Sequence, residues 1–271
     1  MDVTVVVPTR DSGRTIEKCL QSLRQQTLSC SIVVVDNCSS DDTAGIARSL
    51  ADSVLVGGPE RSAQRNLGAL AEPAAIVGFI DSDMYVGATV VADAVEKINA
   101  GAVAVVVPER TIGEGYWSSV RAFERSFYEG HDTIEAARFY RADIFGALGG
   151  FDEDLTGPED WDLTMRAREL GTIDRIEGWI EHDEGRVRYL GACQKKAYYA
   201  EGLRRFGGKH GMTVFAKVGD RPYVRHPWRI ANRFGVGLVA LKLGEVAAVL
   251  VALLKTRVIP GENMTKRVTG T

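Results

Sequence analysis

Asp81 and Asp83 stand one residue apart in VGFIDSDMYVG, where an apolar run meets a polar loop. Two carboxylates so placed repel each other and lose hydration, so a cation or a hydrogen-bond donor must answer them. A hard divalent ion such as Mg²⁺ or Mn²⁺ takes oxygen ligands, commonly only one or two carboxylates, and lets phosphate oxygens fill the rest. On an extended backbone alternate side chains share a face, so both aspartates are expected on roughly one side. Alone the pattern is weak, because Asp-x-Asp also arises as a turn or helix cap.

Other polar residues sit at comparable places. Asp36 ends the apolar run IVVVD, positioned to accept hydrogen bonds from a base or ribose. Capping explains Ser40 or Asp41 in the SSDDT that follows. It does not explain Asp36 together with Asp81 on neighbouring strand ends. Pro158, Glu159 and Asp160 open the helical stretch GPEDWDLTMRARELG, where proline fits the first turn and carboxylates favour the macrodipole.

The elements that must carry these residues follow from periodicity. Apolar runs at Val3 to Val7, Ile32 to Val35, Val54 to Val56, Ala75 to Ile80 and Ala102 to Val107 read as strands. Between them TIEKCLQSLRQQ, DDTAGIARSLA, RSAQRNLGALA and ATVVADAVEKINAG have helical spacing, the last stopped at Gly101. Strands alternating with helices predict a parallel sheet covered on both faces, with ligands at the carboxyl ends of the strands. The loops PTRDS, DNCSSDD, GGPERSAQRN and DSD all fall at those ends. After Pro108 the alternation fades into a helix over GYWSSVRAFERSFYEGH, a short strand near Ile134 to Tyr140, a helix from Arg141, and one further strand in TIDRIEGWIEHDEG. Trp117, Phe123 and Phe127 have helical spacing and read as core.

VVVPTRDSGRTIEKCLQSLRQQT, IVVVDNCSSDDT, RSAQRNLGA, FIDSDM, GGFDEDL and GPEDWDLTMRARELG occur in the order and at roughly the spacing of family 2 glycosyltransferases, which the chain resembles over about residues 1 to 185. The resemblance implies the α/β GT-A fold of nucleotide-diphospho-sugar transferases: a Rossmann-like, mixed but mostly parallel sheet flanked by helices, here with a C-terminal helical appendage. It implies that Pro8, Thr9, Arg10 and Asp36 hold the nucleoside, and that Arg65 and Asn66 lie under the nucleotide pocket. Asp81, Ser82 and Asp83 would meet the ribose and a Mn²⁺ or Mg²⁺ ion on the diphosphate, Asp83 being the principal ligand, with Asp81 and the similar-looking His182 as further ones. Glu159 and Asp160 would form the catalytic pair, Asp160 being the base. The implied reaction is inverting transfer of one sugar from a UDP-, GDP- or dTDP-sugar to a hydroxyl acceptor. An acceptor hydroxyl is a poor nucleophile at neutral pH, so a carboxylate must take its proton. The divalent ion stabilises charge on the leaving diphosphate.

Two departures from the family pattern matter. Asn37 replaces a second carboxylate in VDNCS, which loosens the base and ribose preference, and no QxxRW follows the Glu-Asp pair, which argues against processive polymerisation. Three rival readings are weaker. A catalytically inactive sugar-nucleotide-binding or scaffold protein on the same fold would not need intact DSD and ED motifs. A nucleotidyltransferase would need a glycine-rich basic loop after the first strand, and a phosphatase using aspartyl phosphate would need its DxD there.

The 271 residues, net charge −3, carry 25% charged and 45% hydrophobic residues, which is globular composition without the basic balance of a nucleic-acid binder. Lys195, Lys196, Arg204, Arg205 and Lys209 form one basic run, read as a solvated face that could meet anionic lipid. Cys19, Cys30, Cys38 and Cys193 lack CxxC spacing and suit a reducing cytoplasm, and the N-terminus starts directly in a strand, leaving no room for a signal peptide. FGVGLVALKLGEVAAVLVALL approaches a membrane span, yet Lys242 and Glu245 near its middle suit a helix lying on a bilayer or protein surface better than one crossing hydrocarbon. We therefore expect a catalytic domain over 1–190, with the nucleotide part at 1–108 and the acceptor part at 109–190, followed by a helical region over 191–271. The expected partners are a nucleotide-sugar donor, a saccharide or lipid-linked acceptor from cell-envelope synthesis, and the inner face of the cell membrane, but no nucleic acid.

Overall fold

β-branched runs and amphipathic stretches alternate through the first half of the chain, and each folds as its period requires. The computed structural model describes residues 2–131, 135–211 and 221–258. Strands β1 (Val3–Thr9), β2 (Ser31–Asp36), β3 (Ser53–Val56) and β4 (Ile76–Phe79) are separated by helices α1 (Ile16–Arg24), α2 (Thr43–Leu50) and α3 (Arg61–Ala71). In α1 the buried residues are Ile16, Cys19, Leu20 and Leu23, the face set by their three-and-four spacing. β5 (Met84–Val86), α4 (Val90–Asn99), β6 (Ala104–Val106), β7 (Glu109–Ile112) and α5 (Tyr116–Arg125) follow. Gly101, at φ +109°, ends α4 in a conformation that a side chain would strain. The remainder comprises β8 (Ala137–Arg141), α6 (Ala142–Ala147), α7 (Glu159–Arg168), β9 (Ile173–Arg175), β10 (Ile180–Asp183), α8 (Tyr189–Tyr198) and α9 (Ala200–His210).

The main sheet runs β3-β2-β1-β4-β8-β6-β9, with β8 antiparallel to both neighbours and the other adjacent pairs parallel. The strand order reverses at β1, which pairs with β2 on one side and β4 on the other, and this opens a crevice beyond their carboxyl ends. Apolar clusters fill both faces of the sheet. Val5, Val7, Ile32 and Val34 pack beneath α1 and α4, while Val6, Val33, Val35 and Phe79 pack toward α6 and α7. α3 sits close on that second face because Gly68 has no side chain: a Cβ there would lie 2.4 Å from Val6 Cγ1.

Two expectations change. TIDRIEGWIEHDEG holds two strands, because β9 extends the main sheet and β10 leaves it to join a smaller one, β5-β10-β7. Neither β5 nor β7 was foreseen, since strands so short give little periodic signal. Of the strand expected from Ile134 to Tyr140, β8 supplies the latter part, and Ile134 itself lies outside the described residues.

The C-terminal helix, Arg233–Val258, lies against α5 and α8. Leu238 and Leu241 join Val120, Phe127 and Tyr223 in a third apolar cluster, with Trp117 and Phe123 packed against it, so those aromatics are core as expected. Lys242 reaches Glu124 of α5 at 2.6 Å and Glu245 at 2.7 Å, so the charged face of the helix is turned to the protein. Val236, Val239, Leu243, Val246, Leu250 and Leu254 stand exposed on another side. Residue 190 falls inside α8, so the chain has no break at the expected boundary.

Candidate active site

Ile80 donates its N–H to Val6 at the end of the sheet, and the chain then turns back, Met84 N–H bonding to the Asp81 carbonyl at 2.9 Å. The DSD segment is therefore a turn and not an extended strand, which corrects the expectation that its two carboxylates face the same way. Asp81 meets guanidinium groups: Arg65 Nη2 at 2.6 Å and Arg138 Nη1 at 3.6 Å. Asp83 instead approaches His182 Nε2 at 3.3 Å, from the strand β10 that pairs with β5. Ser82 lies between them, its hydroxyl 2.9 Å from that of Ser12.

Arg65, wholly buried on α3, is the hub of the arrangement. Besides Asp81 it reaches Asp160 Oδ1 at 2.8 Å and Glu159 Oε1 at 3.3 Å, so it braces carboxylates and does not itself face open space. Glu159 is 1% exposed and takes further bonds from Arg61 at 2.8 Å and the Gly157 N–H at 2.6 Å. Of the Glu-Asp pair, only Asp160 is exposed to any extent, with 24% of its side chain accessible. Its Oδ2 faces Arg138 Nη1 at 3.8 Å.

Electrostatics separates the carboxyls. Burial alone would raise Asp81, but Arg65, Arg138 and Arg61 hold it well below the usual carboxylate range. Glu159 moves the opposite way, raised by burial and by the adjacent Asp160 carboxylate against the pull of Arg61 and Arg65. Burial likewise opposes ionisation of Glu109, yet Arg138 and Arg125 hold it down at about 2. Burial would lower His182, but Asp83 and Glu109 keep it above its ordinary value.

Two cavities meet here. A cleft of about 220 Å³ is lined by Pro8, Thr9, Arg10, Ser82, Asp83 and His182 among others. Thr9 Oγ1, buried there, has no hydrogen-bond partner among the described residues, which leaves it available to a ligand. Asp36 stands behind this wall, paired in register with Thr9, and its carboxylate accepts the N–H of Ser39 at 3.0 Å and the Ser39 hydroxyl. Asn66 is turned away from the cleft: its amide bonds Phe151 O at 3.0 Å, Glu153 at 3.0 Å and Phe151 N–H at 2.9 Å, clasping the GGFDE loop. Its expected place under the nucleotide is thus a brace for a neighbouring loop.

The second cavity, about 230 Å³, is lined by Asp160, Glu109, Arg138, Glu124, Lys196 and Trp161 among others, and shares Arg61, Asp81, His182 and Lys195 with the first. Several of these residues escaped the sequence reading. Arg61 lies one helical turn before Arg65, a spacing that puts both on one face. Gln64 bonds the carbonyls of Thr9 and Val35 at 3.0 and 2.6 Å and ties the ends of β1 and β2. Arg138 is the more informative omission, since a charged residue within an apolar strand signals a buried partner, here Glu109. The basic run also divides: Lys195 and Lys196 line the cavity, whereas Arg204 and Arg205 pair with Glu201 and Lys209 with Asp152 and Asp162.

The groups near Asp83 suit a divalent ion. No Lys or Arg lies within 4.0 Å of this carboxylate among the described residues, and an imidazole nitrogen stands beside it. No cluster of three or more His, Cys, Asp or Glu able to hold a metal occurs among the described residues. Asp81, with both oxygens turned to guanidinium groups, is a weaker ligand than expected. All four cysteines are free.

Residues 4–151 match the model of the family described as Glycosyl transferase family 2. The chain belongs to that family. Among curated relatives, the pre-mycofactocin glycosyltransferase of Mycobacterium tuberculosis is 28% identical over 234 residues, covering 77% of this chain and 48% of that protein. Glycosyltransferase AglE of Haloferax volcanii is 26% identical over 188 residues, 62% of each chain. The chain thus spans about half the length of the pre-mycofactocin glycosyltransferases it matches. Among solved structures, residues 1–349 of S. aureus TarS superpose with a TM-score of 0.55 at 18% identity, covering 95% of this chain and 91% of that one. The mannosyltransferase PcManGT of Pyrobaculum calidifontis, in complex with GDP-Man and Mn²⁺, gives 0.57 at 17% identity over 96% and 76%. At these identities the likeness concerns the fold: this family 2 chain has the GT-A architecture.

Proposed function

We propose that this family 2 chain is an inverting, metal-dependent glycosyltransferase that moves one sugar from a nucleoside diphosphate donor to a hydroxyl acceptor. The observation that carries the reading is the Arg65 guanidinium, which grips Asp81 at the donor cleft and Asp160 at the larger cavity at once. A shared rigid cation holds the donor wall and the base in register, and such positioning is a large part of catalysis. Pro8, Thr9, Arg10 and Ser82 would line the donor's nucleoside side, with Asp36 shaping the loop behind them. Asp83 and His182 would hold a Mn²⁺ or Mg²⁺ ion, which neutralises charge on the departing diphosphate when bound. The PcManGT complex with GDP-Man and Mn²⁺ supports a divalent ion here by analogy of fold.

Asp160 accepts the proton of the acceptor hydroxyl as its oxygen attacks the anomeric carbon. The bond from that carbon to the diphosphate breaks on the opposite face, and the nucleoside diphosphate leaves. Glu159, buried and bonded on both oxygens, acts as a positioning group for Arg61 and Arg65. Asp160→Asn is expected to lower transfer by about 10²–10⁴-fold while donor binding, followed by thermal shift with UDP-, GDP- and dTDP-sugars and Mn²⁺, stays near that of the wild type. Unchanged turnover would remove Asp160 as the base. Hydrolysis of donor by the wild type separates this enzyme from an inactive scaffold on the same fold.

We assign catalysis to residues 1–190 and the remainder to acceptor and membrane engagement, with a lipid-linked or cell-envelope saccharide as acceptor. The C-terminal helix is long and apolar enough to span a bilayer by length and composition, yet its charged face packs on α5 and its apolar stripe is open. Exposed Arg225, Arg229 and Arg233 occur at or just before the start of that helix in the chain, together with Trp228, which is 69% exposed. This combination suits a helix lying on the anionic cytosolic face of a membrane. Flotation with vesicles containing phosphatidylserine should carry the wild type, and Leu243→Glu with Leu250→Glu should leave it in the soluble fraction with the same thermal midpoint. Equal flotation of both proteins would remove the helix as the anchor.

A further inference from the structure

The larger cavity is crowded with charge, and its carboxylates are answered. Glu124 has Arg121 at 3.1 Å, Lys242 at 2.6 Å and Arg221 at 3.4 Å. Glu184 has Arg121 at 3.3 Å, Glu109 has Arg138, and Asp160 has Arg65. On the cationic side the matching is incomplete. Lys195 and Lys196, adjacent on α8, line the cavity without an ion-pair partner among the described residues. Arg138, 5% exposed, has a buried Nη1 that makes no hydrogen bond among the described residues, although the Asp81 and Asp160 carboxylates stand 3.6 and 3.8 Å away. A buried donor left without a hydrogen bond is costly, and with the half-buried Lys196 and the exposed Lys195 in the same wall the cavity offers charged donors suited to an oxyanion.

We infer that the larger cavity binds an acceptor carrying an oxyanion, phosphate or carboxylate, held by Lys196 with Lys195 and Arg138 beside it. This rests on reading that cavity as the acceptor side, because it contains Asp160 while the smaller cleft carries the donor groups. Lys196 lines only the larger cavity, so its partner is distinct from the donor diphosphate, which Lys195 at the junction can also reach. Burial, together with the neighbouring charges of Lys242 and Arg121, lowers the Lys196 amine to about 8 despite the opposing pull of Glu245. An incoming anion would relieve that penalty.

The full chain, stripped of metal with EDTA, is treated with pyridoxal 5′-phosphate. Its aldehyde condenses with a neutral amine with loss of water, and borohydride then reduces the imine, so the modified lysine is found by peptide mass spectrometry. Lys196 is expected to label on the order of tenfold faster than the surface Lys255, as its greater neutral fraction and a phosphate-attracting pocket require. Pyridoxal without phosphate should label Lys196 more slowly, and millimolar inorganic phosphate should protect it where chloride at equal ionic strength does not. An acetate arm distinguishes a carboxylate site from a phosphate site. Equal rates with pyridoxal and its phosphate, or no protection by either oxyanion, would overturn the inference. Lys196→Met, which removes the label and should fold with a thermal midpoint no lower than that of the wild type, verifies the assigned peptide. Donor hydrolysis with Mn²⁺ is measured on the same preparation: anion-protected labelling without hydrolysis keeps the anion site and sinks the transferase reading, whereas hydrolysis without such labelling sinks the anion site alone.

Discussion

The cleft proposed for the donor and the larger cavity adjoin, yet they are built in different ways. The cleft takes its walls from the ends of β1 and β4, which the strand alternation puts side by side, and its key carboxylate, Asp81, is held by arginines. The larger cavity draws Arg121 and Glu124 from α5, Glu184 from beyond β10, Lys195 and Lys196 from α8 and Lys242 from the C-terminal helix. The first site is organised by the sheet. The second exists only when segments distant in the chain pack together, and its Lys195 and Lys196 have no ion-pair partner among the described residues. The contrast suits a site for a common type of donor beside a site for a particular acceptor.

Arg65 joins the two sites and is where the comparison breaks most severely. Arg65→Met should leave Asp81, Glu159 and Asp160 crowded without their common cation and destabilise the fold by about 3–5 kcal/mol in chemical denaturation. A loss under about 1 kcal/mol would mean that Arg61 and Arg138 suffice to hold the cluster. Within the sheet-built half, Gly68→Ala would drive a methyl against Val6 and should cost about 1–3 kcal/mol, with the cleft losing donor affinity as α3 moves off β1. Donor affinity unchanged at reduced stability would separate the packing of α3 from the geometry of the cleft.

The smallest effect sharpens the other half. A half-buried lysine whose value falls to about 8 from 10.5 in the unfolded chain loses its proton earlier when folded, so the folded protein gains stability as pH rises between those values. Below that window the wild type carries the full penalty of the charged amine. Lys196→Met removes the penalty, so its thermal midpoint should exceed that of the wild type near about pH 7, and the gap should narrow toward about pH 10. A gap independent of pH would mean that Lys196 acts through packing alone.

Much of the fold could be read from spacing. The five apolar runs and the helices between them match β1, β2, β3, β4 and β6 with α1 to α4, because residues two apart on a strand and three or four apart on a helix must share a face. Short strands such as β5 and β7 were invisible, since three or four residues carry too little periodicity and pair only through β10. The site was read from motifs at strand and helix ends, and the structure brings Thr9, Asp81, Asp83 and Asp160 to the two adjoining cavities. It was misread where side chains had alternative partners: Asn66 clasps a loop, and Asp81 turns to guanidinium groups.

By itself the sequence determined the alternating elements, the gathering of polar loops at the carboxyl ends of the strands and the family that its motifs resemble, because these depend on short-range periodicity and on residue types at loop positions. Only the tertiary structure decided which carboxylate each arginine holds, which way the two DSD aspartates turn, and that Lys196 has no ion-pair partner among the described residues. Those outcomes depend on distances between groups far apart in the chain, and Coulomb and hydrogen-bond energies change steeply over a few ångströms where water is excluded.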